Sequence, residues 1–170
     1  RKLLREKIQA NYKSHEEVVC DAYSTETAIS RLKMALLCTV TKAGKESEIG
    51  NICLKIDWLY QDLADELEEN SSDYESKKEN YLAEAHNFAM NAYEHLSKAR
   101  MEEEFPITGM NETTLDYLLS YLGYVKGEYQ TAMQYLSGVV STRGISPRLK
   151  DKCLELKELL NQKLHASADQ

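Results

Sequence analysis

Proline and glycine are scarce in this chain, two and seven in 170 residues. The scarcity excludes sandwiches and barrels, which need turn residues at short, regular intervals. β-Branched runs are few, and Ala, Leu, Glu and Lys are abundant, so the composition points to an all-helical fold. No apolar run is long enough to span a bilayer and no signal-peptide pattern occurs, which places the chain in the cytoplasm without membrane contact. The formal charge of −7 leaves no basic stripe to displace counterions from phosphates, so a nucleic-acid surface is excluded.

Chemical motifs are missing as well. Cys20, Cys38, Cys53 and Cys153 show no C-x-x-C spacing, and each lies in or beside an apolar helical pattern. They read as buried free thiols in a reducing compartment. His15, His86, His95 and His165 fall on helices with no H-E-x-x-H spacing and no cysteine at ligand distance. Nucleophile-elbow, Walker and dinucleotide glycine patterns do not occur. Carboxylates sit in exposed runs where nothing raises a pKa for acid catalysis. No catalytic residue, metal or cofactor is expected, and an enzyme would need a site assembled from distant residues.

What is present is helical periodicity. By length the chain is one domain, residues 1–170, able to bury roughly two-thirds of its unfolded surface. The clearest stretch runs from Phe105 to Val140 and reads as a helical hairpin. Asn111 caps its first helix, with Met110 placed to staple on Leu115. Leu115, Leu118, Leu119, Leu122 and Val125 make one buried face. Gly127 ends that helix, and Ala132 stands on the second where a larger residue would hold the pair apart.

Upstream, Arg1 to about Asp21 has an imperfect amphipathic pattern through Leu4, Ile8, Tyr12, Val18 and Val19. Ser24 or Thr25 caps a second helix through Ala28, Ile29, Leu32, Ala35 and Leu36, which ends at Thr41–Gly44. A third helix over about Glu46–Glu69 buries Ile49, Ile52, Cys53, Ile56, Leu59, Tyr60, Leu63 and Leu67 while Leu54 and Trp58 point the other way. Acidic residues dominate from Asp62 to Glu79, as a solvated face or a dock for a basic partner. Ser72 with Glu75 forms a capping box for a long fourth helix reaching about Glu103, its second half patterned by Tyr81, Leu82, Ala85, Phe88, Ala89, Ala92 and Leu96. Ser146–Pro147 opens a last helix with Leu149, Cys153, Leu156, Leu159, Leu160 and Leu164 inward, and residues 167–170 read as a frayed tail.

Leu119-Ser120, Gly127-Glu128-Tyr129 and Ala132 resemble the turn and second helix of a tetratricopeptide repeat, with Ser120 and Gly123 as departures. The helix-B spacing recurs at Ala28 and Ala85. The resemblance implies a right-handed array of about three helical hairpins plus a C-terminal capping helix. A narrower resemblance, carried by Cys53, Leu54, Trp58-Leu59-Tyr60, Phe105-Pro106-Ile107 and Gly109-Met110, is to the C-terminal part of an uncharacterised bacterial family. Its members carry a zinc-ribbon-like segment ahead of such helices. A chain opening on Arg1 without that segment reads as a fragment of a longer one.

On the repeat pattern, Trp58 takes the position of Tyr121 and Leu54 that of Tyr117. Two readings of this aromatic face stand. Tyr117, Tyr121, Tyr124 and Trp58 are covered by a neighbouring helix or the cap, as inner helices of stacked arrays are. Alternatively they line a concave groove for an extended peptide or a helix, since Tyr and Trp give large contact area with a polar tip. On the groove reading Asn51, Leu54, Trp58, Gln61, Tyr117, Tyr121 and Tyr124 contact the partner, and Asn51 and Gln61 hydrogen-bond its backbone. Carboxylate-holding repeats need several Lys, Arg and Asn on helix A, and only Asn51 stands at such a place, so capture of a chain terminus is not expected. The chain thus reads as a non-catalytic protein-interaction module. The alternative is a structural domain that dimerises or packs on an upstream segment.

Overall fold

The computed structural model of the chain describes residues 24–42, 44–107 and 109–169. The helix expected over Arg1 to about Asp21, with His15 and Cys20, lies outside them. The described residues form six helices: α1 (Thr25–Thr41), α2 (Glu46–Glu66), α3 (Tyr74–Glu102), α4 (Glu112–Lys126), α5 (Tyr129–Ser141) and α6 (Pro147–Ala168). Among the described residues the only β pairing is an isolated bridge between Ile107 and Met110, so the all-helical expectation holds. The chain divides into two compact units, one reaching to Ala92 and one starting at Tyr93, with the division inside α3.

Local signals set most helix ends. The Thr27 amide donates to Ser24 Oγ at 3.2 Å, and the Leu149 amide to Ser146 Oγ at 3.2 Å with Pro147 next in the chain. These bonds satisfy backbone donors that a helix start leaves open. The Thr114 amide donates to Asn111 Oδ1 at 2.8 Å, as the capping pattern requires. Gly127 closes α4 at φ 94, a left-handed conformation that glycine adopts without Cβ strain, and its amide donates to Gly123 and Tyr124 carbonyls. Two ends differ from expectation. α2 stops at Glu66, with Leu67 extended beyond it. α3 opens at Tyr74, two residues past the Ser72 cap, after a turn in which the Tyr74 amide donates to the Ser71 carbonyl. At the other terminus α6 holds through Ala168.

In the first unit α1 packs on α2. Ile29, Ile56, Leu59, Tyr60, Leu63 and Ala85 form its core, with Leu32, Leu36, Ile52, Tyr81 and Phe88 against them. Tyr60 stacks on Phe88 with ring centroids 6.0 Å apart. Lys33 Nζ donates to the Tyr60 hydroxyl at 2.6 Å and lies over both rings, so its stem and charge cover an apolar edge.

In the second unit α4 packs on α5, and α6 lies against both. Ala132, Leu136, Val139, Cys153, Leu156 and Leu160 make the cluster between them. Leu115, Leu119 and Leu122 of α4 are fully buried, each contributing about 1.5–3 kcal/mol by leaving water. Arg100 Nε and Nη2 reach Asp116 Oδ1 at 2.7 Å and Glu112 Oε1 at 2.6 Å, tying the last turn of α3 to the first turn of α4. Met110 is buried ahead of α4, where the staple requires it.

Three side chains expected inward are not. Cys38 is exposed, because it lies on the side of α1 opposite Ile29, Leu32 and Leu36, which pack on the core. Leu82 and Leu159 are both 42% exposed. Leu159 stands about 100° round the helix from Leu160, outside the seam that Cys153, Leu156 and Leu160 form.

Candidate functional site

The residues expected to form a partner surface belong to two helices, α2 and α4. On α2, Asn51, Trp58 and Gln61 are half-buried. Trp58 stands outside the cluster that takes its neighbours Ile56, Leu59 and Tyr60. Gln61 Nε2 donates to Asp57 Oδ1 at 2.7 Å, which fixes the amide and turns its oxygen away from that bond. Leu54, expected beside Trp58 on a presented face, is instead 3% exposed. The reason lies in α2 as a whole, which buries Ile49, Gly50, Cys53, Leu54, Ile56, Asp57, Leu59 and Tyr60 and so leaves no broad wet side.

On α4, Tyr117, Tyr121 and Tyr124 are half-buried, and all three pack against the α5–α6 cluster. Tyr124 meets Tyr129 of α5 with centroids 5.9 Å apart at 51°. The Tyr117 hydroxyl is pushed up to about 12, first by burial and then by Cys153, Tyr121 and Glu155 around it. Two of those neighbours lie on α6, so the ring faces the C-terminal helix. Asn51, Trp58 and Gln61 stand on one compact unit and the tyrosines on the other, and each set is a face of its own unit.

The residue pattern does not foreshadow several features. Asp57 and Asp62 are 2% and 4% exposed although they read as part of exposed acidic runs. Ser120 is fully buried and donates from Oγ to the Ala132 carbonyl at 2.7 Å. In the second unit a groove of about 200 Å³ is lined by Met133, Leu136, Ser137, Val140, Ser141 and Lys157, apolar with one cation at its edge. Met34, Leu37 and Val40 of α1 are exposed.

Chemistry in the described residues is quiet. Burial pushes the Cys53 thiol up to about 11 and raises that of Cys153. Both are far from the low values that make a thiol reactive. No group of His, Cys, Asp and Glu among the described residues could hold a metal ion. No helix of the described residues is long and apolar enough to cross a membrane.

No curated protein and no solved structure matches the chain. A family model described as an uncharacterized protein conserved in bacteria (DUF2225) matches residues 1–160. With nearly its whole length inside that match, the chain belongs to this bacterial family.

Proposed function

We propose that the chain is a non-catalytic protein-interaction module of tetratricopeptide-like hairpins that receives a helix or extended peptide on an aromatic-bearing helix face. The repeat-like reading is supported by the α4–α5 hairpin, where Gly123, Ser120 and Ala132 allow two helices to approach closely. The single observation that carries the binding role is Trp58. An indole left partly exposed on a helix that buries twelve of its twenty-one residues, with Asn51 and Gln61 on the same helix, offers apolar area next to polar groups.

A photo-reactive residue at position 58, compared with one at exposed Glu155, tests this in a bacterial cell. Cross-linking to a defined protein from position 58 but not 155, with loss of its capture in Trp58→Ala at unchanged helicity, is the expected result. Equal labelling from both positions rejects the surface.

The second reading is structural. It is favoured by the packing of Tyr117, Tyr121 and Tyr124 on the α5–α6 cluster, which gives these rings a role in holding the last helix. On this reading Tyr121→Ala loosens α6, seen as faster amide exchange over residues 147–168, while partner capture persists.

A further inference from the structure

Helix α5 and the turn into α6 differ from the rest of the chain in charge. Between Tyr129 and Thr142 no charged residue occurs. The next stretch carries Arg143, Arg148, Lys150, Lys152 and Lys157 against Asp151 and Glu155, a local excess of cations in a chain of net charge −7. These five cations are exposed, and none of them makes an ion pair among the described residues. Elsewhere Lys77, Lys98, Arg100 and Lys126 each meet a carboxylate. Cations held together without acids repel one another, a cost that an anionic partner removes.

The groove between α5 and α6 lies at this basic corner. Met133, Leu136 and Val140 make it apolar. Its serines are committed to α5 itself, Ser137 Oγ donating to the Met133 carbonyl at 2.9 Å and Ser141 Oγ to the Gly138 carbonyl at 3.0 Å. Lys157 stands at the edge, and Lys150 lies two turns earlier on the same flank of α6. A volume of about 200 Å³ admits a large apolar side chain or two, and falls short of the roughly 300–1,000 Å³ of small-molecule pockets. We infer that this groove receives an amphipathic helix of another protein, which seats a large apolar residue on Met133 and Val140 and sets Asp or Glu against Lys150 and Lys157. A second copy docking by the same face would bring cations to cations, and the uncharged α5 has no acid to offer them. A phosphate backbone would answer the charge and leave the apolar floor in water. The surface belongs to the second unit, uses a different helix pair from Trp58 and does not rest on the proposed binding role.

Random helical peptides displayed on phage and selected against the whole chain test it, with phosphatidylglycerol vesicles and duplex DNA as rival probes. The expected result is enrichment of peptides that carry Asp or Glu beside Leu, Ile or Phe at helical spacing. A synthetic copy of the strongest, read by fluorescence anisotropy, binds at least about tenfold more weakly to the double variant Lys150→Glu, Lys157→Glu, and more weakly as salt rises. Val140→Glu weakens it to a similar degree with an unchanged circular dichroism spectrum, because Val140 is already 48% exposed. Lys163→Glu, about 120° round α6 from Lys157, leaves the affinity unchanged. So does Trp58→Ala, which separates failure here from failure of the surface at Trp58. A selection without enrichment or without acidic bias, a peptide indifferent to the charge reversals or to Val140→Glu, or binding lost in Trp58→Ala overturns the proposal. Vesicles or DNA that bind more tightly than the peptide, and lose that binding in the charge-reversed variant, overturn it in favour of a phosphate partner.

Discussion

A Cβ placed on Gly123 of α4 would stand 3.2 Å from the Cβ of Ala132 on α5, and Ala132 is fully buried. The tightest contact is with Ala132, whose Cβ is fixed to the backbone, so relief there requires the helices to separate. Gly123→Ala gains about 1 kcal/mol of helix propensity and loses a similar amount to the forced separation, for a net change within about 1 kcal/mol. Gly123→Leu has no such offset and should destabilise by about 2–3 kcal/mol. Urea midpoints of the two variants check this, and a Gly123→Leu protein as stable as the parent would deny the contact.

Arg100 spans two carboxylates one helical turn apart, Glu112 and Asp116. Its side chain is 30% exposed and that of Asp116 16%, so solvent screens the pair only in part. Arg100→Met should cost about 1–2 kcal/mol. Arg100→Lys keeps the charge but cannot reach both oxygens with a fork, and should recover less than half. Thermal melts in dilute and in molar salt check the assignment, because salt should narrow the gap between parent and Arg100→Met.

The ends of most helices were legible because each rests on a few adjacent residues: Ser24, Asn111, Gly127 and Ser146–Pro147 each act within one turn. The Gly123–Ala132 approach was legible for the same reason, a small residue at a repeat-like position. What could not be read is which side of an apolar helix finds cover. Leu54 and Ile56 are both hydrophobic, and periodicity gives the angle between them without saying what lies at either angle. Leu54 was expected on a presented face and is buried; Cys38 and Leu159 were expected inside and are exposed. The candidate site inherits this ambiguity. The packing of the tyrosines under α6 depends on a helix more than twenty residues downstream, and Asp57 gives no local sign that it is buried.

The thiols differ in reactivity by the same accident of cover. Cys38 is exposed, while Cys53 and Cys153 are buried and Cys53 is pushed up to about 11. In dilute solution at mildly alkaline pH, iodoacetamide should modify Cys38 at least about a hundredfold faster than Cys53, whose thiolate is both rare and shielded. Peptide mass spectrometry over a time course reads the order. Comparable rates at Cys53 and Cys38 would mean that α2 is not held in the core.

Tyr93 and Glu128 link α3 to the start of α5 and give the second unit a dependence on pH at both ends of the scale. The Tyr93 hydroxyl donates to Glu128 Oε2 at 2.8 Å, and Lys126 Nζ stands 2.9 Å from Oε1. The bond from Lys126, and after it the one from Tyr93, holds the Glu128 carboxyl below its ordinary 4.5. A carboxylate depressed on folding stabilises fully above the unfolded value and loses that contribution as pH falls through the folded one. The advantage of the parent over Glu128→Gln should therefore shrink from about pH 5 downward. Glu128 is 40% exposed, so the advantage is small even at neutrality, below about 1 kcal/mol. Tyr93 moves the other way. Burial, then the bond to Glu128, lifts its phenol well above the ordinary 10.0. The unfolded chain releases that proton first, so stability is complete below about pH 10 and falls as pH rises beyond it. Tyr93→Phe removes both the alkaline loss and part of the acid one, because the carboxylate then keeps Lys126 alone. Urea unfolding of parent, Glu128→Gln and Tyr93→Phe across the pH range checks both limbs. Parallel profiles for all three would show that this hydroxyl–carboxylate bond does not persist in solution.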